Sequence, residues 1–216
     1  MIRAVVFDMD GVIFDSERLV MDCWKEIAKK YAIQGIEEAC LESLGVNAKQ
    51  TQEIMVRRYG VDFPYKRYAK EASVLFHSRY DGGRLLKKKG IVELLTYLKE
   101  QKAKLAVASS TRWEMVQKEL KEGDLLKFFD VVIGGDMVER SKPAPDIFLM
   151  ACERLGAVPE ETYVIEDSYN GIRAASAANM IAIMVPDLVE PTEEIRKLAS
   201  EIFPSLVEVK EYFRQK

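Results

Sequence analysis

A short apolar run that ends on two aspartates constrains this chain more than any other stretch. Ala4-Val5-Val6-Phe7 is too brief to show a period, but its β-formers and the breaker at Gly11 mark a buried strand. Asp8 and Asp10 then stand at the carboxyl end of that strand, where open α/β sheets bind their ligands. Two carboxylates this close repel each other, and a cation or a shared proton must offset the repulsion. The structural alternative is a solvated Asp-Gly turn. An EF-hand is excluded, because Gly11 comes too early in the loop and Leu19 stands where the closing Glu belongs.

The 216 residues allow one domain or two small ones. Apolar content of 48% with 31% charged residues fits a globular chain with a real core. No window approaches the ~18 uncharged apolar residues of a membrane span. Asp8, Asp10 and Asp15 interrupt any signal-peptide core. A net charge of −3 with both signs interspersed gives nothing to recruit nucleic acid, and Lys87-Lys88-Lys89, the one basic run, reads as a solvated helix approach. Cys23, Cys40 and Cys152 match no zinc spacing and read as reduced thiols of a cytoplasmic protein. His77 is the single histidine, which rules out a multi-histidine metal site, and it reads as a helix-face residue. Nothing demands more than a monomer.

After the first strand, helical periodicity runs from Glu17 to Tyr31, then over about 36–44, 48–59 and 64–80, with Gly35, Gly45 and Gly60 between. No strand signal falls there, so residues 16–81 read as a helical block inserted into a core made of 1–15 and 82–216. Beyond Asp81-Gly82-Gly83 strands and helices alternate. Lys104–Ala108, Val131–Ile133, Tyr163–Ile165 and Ile181–Val185 are the strands, and Pro143 opens the helix that ends near Leu155. The tail adds helices over about 193–200 and 206–214. This alternation predicts an α/β fold with a parallel sheet and right-handed crossovers. The strands end in Asp8 and Asp10, in Ser109, in a loop with Lys142, and in Glu166-Asp167. A parallel sheet brings all of these to one edge. Each pair alone is commonplace; the combination in this order is specific.

Asp8-Met9-Asp10-Gly11-Val12 resembles the first motif of the haloacid dehalogenase superfamily of phosphohydrolases, and Ser109, Lys142 and Val164-Ile165-Glu166-Asp167-Ser168 resemble the other three. The resemblance covers nearly the whole chain, the inserted helices resembling the family's small cap. It implies a Rossmann-like core with sheet order 5-4-1-2-3. It also implies phosphoryl transfer through an aspartyl-phosphate on Asp8, with Asp10 as general acid and base. Ser109 and Lys142 would bind the transferring group, and Lys49 of the cap is a further candidate for substrate binding. The implied cofactor is Mg2+, with Mn2+ or Co2+ as substitutes, held by Asp8, the Asp10 carbonyl and Asp167, with Glu166 acting through a water. Dehalogenases of the superfamily lack an acid at the position of Asp10, so its presence points to phosphate chemistry.

Within the superfamily the chain resembles the β-phosphoglucomutase-like branch. Three positions depart from its mutases: Val20 where they carry a histidine, Asn47-Ala48-Lys49 without their arginine, and Phe76 where they carry a lysine. The reading favoured is a Mg2+-dependent phosphatase of small phosphorylated carbohydrates, with a sugar-phosphate mutase as the alternative. A non-catalytic phosphoacceptor module is a third reading, although such modules lack both the inserted helices and the second aspartate. Asp15, Ser16 and Glu17 read as a hinge and helix N-cap, Asn170 as a residue close to the site, and Trp24 as packing within the insert.

Overall fold

Apolar residues alternate between the two faces of a parallel sheet, and that alternation places the site. The computed structural model describes residues 2–216. Its strands are β1 (Ala4–Phe7), β2 (Lys104–Ala108), β3 (Val131–Ile133), β4 (Thr162–Glu166), β5 (Ile181–Met184) and β6 (Glu201–Ile202), in the order β3-β2-β1-β4-β5-β6. The first five follow the expected order. The two-residue β6 is an addition, in the connection between the two helices expected in the tail.

The helices are α1 (Ser16–Tyr31), α2 (Ile36–Glu42), α3 (Ala48–Tyr59), α4 (Tyr65–Tyr80), α5 (Ile91–Glu100), α6 (Trp113–Glu122), α7 (Asp146–Leu155), α8 (Tyr169–Ala177), α9 (Glu193–Leu198) and α10 (Leu206–Arg214). Val6, Ala106 and Val164 face one way, against Phe148 of α7 and Ile172 of α8. Val5, Phe7 and Val107 face the other, against Leu94 of α5 and Phe213 of α10. This is the near-continuous apolar strand expected where helices cover both faces. Phe7 is in register with Val107 and Ile165. Asp8, just beyond β1, therefore emerges beside Ala108 and Glu166, the last residues of β2 and β4.

Helices α1 to α4 form the insert. Trp24 stacks on Tyr65 with ring centroids 6.0 Å apart, and Tyr31 on Tyr68 at 4.4 Å. Two chain crossings join insert to core, and they bond to each other: Asp15 N donates to Leu86 O and Lys88 N to Ile13 O, both at 2.9 Å. Asp187, in the loop after β5, accepts from Lys88 Nζ at 2.8 Å and from Arg18 at 3.2 Å, gripping both crossings.

Two local expectations are corrected. The helix expected from Pro143 starts at Asp146, because a residue preceding proline is pushed away from helical angles and both Lys142 and Ala144 precede one. Asp15 occupies the N-cap position of α1 without a side-chain capping bond, and Ser16 turns back toward Asp10 instead.

Candidate active site

Lys142 lies fully buried among acceptors. Its Nζ donates to Asp8 Oδ1 at 2.6 Å, to Glu166 Oε1 at 2.7 Å and to Ala108 O at 3.1 Å. Burial opposes its charge, but the Asp8 and Glu166 carboxylates outweigh that and hold the ammonium protonated above the usual lysine range. The Asp8 carboxyl is raised to about 8, chiefly by burial, with Lys142 pulling down and Glu166 and Asp10 adding to the rise. Glu166 spends its other oxygen on the start of α8. Its Oε2 accepts from Asp167 N at 2.9 Å, Ser168 N at 2.8 Å and Ser168 Oγ at 2.9 Å. Both Glu166 oxygens thus have protein donors, and the side chain anchors Lys142 and the 167–168 turn.

Asp10 sits in a different setting. Its Oδ1 accepts from Ser16 Oγ at 2.6 Å, and its Oδ2 from Ser109 Oγ at 3.1 Å and Thr111 Oγ1 at 3.0 Å. Ser109 Oγ also accepts from Thr111 N at 3.0 Å. Two carboxylates two residues apart are therefore held in opposite ways, Asp8 by a buried ammonium and Asp10 by three hydroxyls. Such divided environments assign separate acid and base roles.

Asp167 is 1% exposed, and its Oδ2 has no hydrogen-bond partner. Burial, then Glu166, Glu17, Asp8 and Asp187, push its carboxyl well above the usual range. Six acidic side chains, Asp8, Asp10, Glu17, Glu166, Asp167 and Asp187, thus outnumber the cations that pair with them, Lys142, Lys88 and Arg18. Such an excess, with an orphaned carboxylate oxygen, is the setting a hard cation with oxygen ligands fits. Among the described residues no three His, Cys, Asp or Glu side chains already form a ligand cluster. The donor set expected from the sequence differs from such a cluster, combining two carboxylates with one carbonyl.

A cavity of about 180 Å3 opens above Asp8 and Asp10, between the core and the insert. Glu17, Val20, Met21, Trp24, Leu44 and Met55 form its wall on the insert side. Trp24 is both core of the insert and wall of this cavity. The loop between α2 and α3 is clasped by the core. Gly45 O accepts from Ser110 Oγ at 2.8 Å, Leu44 O from Asn170 Nδ2 at 2.9 Å, and Asn47 N donates to Ser141 Oγ at 3.1 Å. Asn170, expected close to the site, bonds to the insert. Lys49 is not among the cavity's lining residues; with Arg112 and His77 it lines a neighbouring groove.

Ser16, Thr111, Glu17 and Asp187 were not singled out as site residues from sequence. Thr111 could have been found as the second hydroxyl after the β2 strand end, and Ser16 only through its fold back onto Asp10. Burial, then the Asp10 and Asp8 carboxylates, push the Glu17 carboxyl well above its usual range.

The haloacid dehalogenase-like hydrolase profile matches residues 5–185. The chain belongs to that family of hydrolases, and its architecture is the family's α/β fold. The chain is 34% identical over 179 residues to the phosphorylated carbohydrates phosphatase of Thermotoga maritima, which covers 82% of each chain. It is 30% identical over 191 residues to the β-phosphoglucomutase of Bacillus subtilis, covering 85% of this chain and 83% of that one. The crystal structure of a β-phosphoglucomutase from Clostridium difficile superposes with a TM-score of 0.82 at 25% identity, covering all of this chain and 96% of the other.

Proposed function

We propose that this chain is a Mg2+-dependent phosphatase of small phosphorylated carbohydrates, a phosphoric monoester hydrolase working through an aspartyl-phosphate on Asp8. One observation carries the reading: Asp8 and Asp10 stand at one strand end in opposed environments, the first on Lys142 and the second on hydroxyls. The Thermotoga relative, a phosphorylated carbohydrates phosphatase, supports the substrate class. Residues 16–81 act as a cap over a core of 1–15 and 82–216.

Asp8 Oδ attacks phosphorus, and the bond from phosphorus to the leaving oxygen breaks. Asp10 gives that oxygen its proton. Asp10 then takes a proton from water, whose oxygen attacks the phosphoryl group and frees Asp8. Lys142 lowers the cost of ionising Asp8 and offsets charge on the transferring group, while the Ser109 hydroxyl turns from Asp10 to donate its hydrogen there. Asp8, the Asp10 carbonyl and Asp167 would hold Mg2+, which supplies charge neutralisation between carboxylate and phosphate. Lys49 would act from the neighbouring groove, at the edge of the substrate.

Phosphate release from a panel of sugar phosphates, with and without Mg2+, tests the reading. Conversion of β-glucose 1-phosphate to glucose 6-phosphate is followed in parallel. Metal-dependent release with little isomerisation is expected. Isomerisation with little free phosphate would establish a mutase, the activity named for the Bacillus relative. A stable aspartyl-phosphate with no turnover would leave a phosphoacceptor module.

A further inference from the structure

The wall facing the two aspartates has an unusual charge pattern. Besides Asp8 and Asp10, Glu17 is the one acidic side chain among the cavity's lining residues, and no lysine or arginine is among them. Val20, Met21, Trp24, Leu44 and Met55 supply apolar surface, and Ser43 and Thr51 supply hydroxyls. Lys49 and Arg112 line the neighbouring groove, which meets the cavity along Val46, Ser110 and Thr111.

An anion entering this wall would lose its hydration against apolar side chains and meet an acidic side chain with no lysine or arginine to offset its charge, which is strongly unfavourable. A neutral polyol meets the opposite situation. Its C–H faces pack on Trp24, Met21 and Leu44, and its hydroxyls find acceptors in Glu17 and in the Ser43 and Thr51 oxygens, whose own hydrogens go to Ala39 O and Asn47 O. A lone ammonium would lose its hydration against the same apolar side chains and offer them no C–H face. At about 180 Å3 the cavity also falls below the ~300–1,000 Å3 of sites that enclose drug-sized ligands.

We infer that this cavity selects monophosphates of small uncharged polyols and rejects a second phosphate, with Glu17 as the residue that accepts the leaving group's hydroxyls. The inference rests on the phosphatase reading and deepens it.

The test compares kcat/KM, at saturating Mg2+, for a hexose monophosphate, its bisphosphate, phosphoethanolamine and p-nitrophenyl phosphate. The wild-type enzyme should prefer the hexose monophosphate over the bisphosphate by about 100-fold, the scale of one uncompensated buried charge. Glu17→Gln should raise KM for the monophosphate about tenfold with a smaller change in kcat, and narrow the gap to the bisphosphate. Val20→Arg, which adds a cation to the wall, should raise bisphosphate turnover. Equal use of bisphosphate and monophosphate by the wild-type enzyme would overturn the inference, as would a preference for phosphoethanolamine. If p-nitrophenyl phosphate is hydrolysed in either case, the phosphatase reading survives and the selectivity alone is lost. No metal-dependent release from any of the four would overturn both.

Discussion

Gly11 lies so close to Asp167 that a Cβ at position 11 would come within 2.2 Å of Asp167 Oδ2, and its φ of 81° is one that L side chains rarely adopt. Gly11→Ala should therefore displace the orphaned carboxylate as well as strain the backbone by about 1–3 kcal/mol. The wild-type protein should gain thermal stability on adding Mg2+. The variant should lose that gain, which scanning calorimetry with and without the ion would show. An equal Mg2+ shift in both proteins would refute the placement of Asp167 at the cation.

Removing the buried ammonium should cost more than removing an exposed one. Lys142→Met leaves Asp8 and Glu166 facing each other without a counter-charge, and breaking a buried pair from one side costs about 3–5 kcal/mol. Urea denaturation would measure it. A loss below about 1 kcal/mol would mean that the two carboxyls share a proton instead of relying on Lys142.

Asp8→Asn should abolish turnover, since an amide oxygen does not displace an alkoxide from phosphorus. Turnover at the wild-type rate in that variant, followed by phosphate release, would sink the nucleophile assignment.

Asp10→Asn should slow both formation and breakdown of the aspartyl-phosphate, each resolved by rapid quench. Ser16 positions Asp10 through the shortest of its three bonds. A hydrogen bond to a charged group is worth about 1.5–3 kcal/mol, so Ser16→Ala should lower kcat roughly tenfold to a hundredfold. It should also shift the acid limb of the pH profile, and Ser16→Thr should restore both. A Ser16→Ala variant with unchanged kcat and an unmoved profile would leave the hydroxyl a purely structural role.

Glu119 predicts a pH dependence of stability. It lies at the joint between insert and core, in a pocket shared with Phe14, Phe76, Tyr80, Asp81 and Glu122. Burial, then the Asp10 carboxylate, raise its carboxyl to about 8, with Lys118 pulling down and Asp81 and Glu122 pushing up. The folded state keeps this proton where the unfolded chain, at the ordinary 4.5, has lost it. Stability should fall as pH rises from about 4.5 to about 8 and level off above, by on the order of a few kcal/mol. Glu119→Gln should remove this part of the slope. Parallel stability profiles for the two proteins between pH 5 and pH 8.5 would contradict it.

Much of this architecture can be read from residue order. The runs at β1, β2 and β3 are bounded by breakers, so their limits match the sequence reading residue for residue. Asp8, Asp10, Ser109, Lys142, Glu166 and Asp167 could be gathered in advance because parallel strands send their carboxyl ends to one edge. β6 escaped because two residues carry no periodicity. Glu17 escaped because an acid in the first turn of a helix reads as a partner for the helix dipole. Asp187 follows a proline in a loop, and only the tertiary fold brings it to Lys88 and Arg18. Lys49 was singled out by type and position in the insert, and which of two adjoining hollows its side chain lines, here the neighbouring groove, cannot be derived from spacing.

The bonded pair of crossings couples two tasks. The segment holding Asp10 continues directly into the first crossing, with Asp10 bridged to Phe14 and Phe14 to Lys87 on the return strand. A swing of the insert would turn both crossings together and pull on the loop that carries the acid. Ser16 moves with the insert while its bond ends on Asp10, so opening to admit substrate would also loosen the proton donor. On the proposed mechanism access and proton delivery would be geared to one joint, and an open enzyme would be poorly armed to spend water on a half-bound ester.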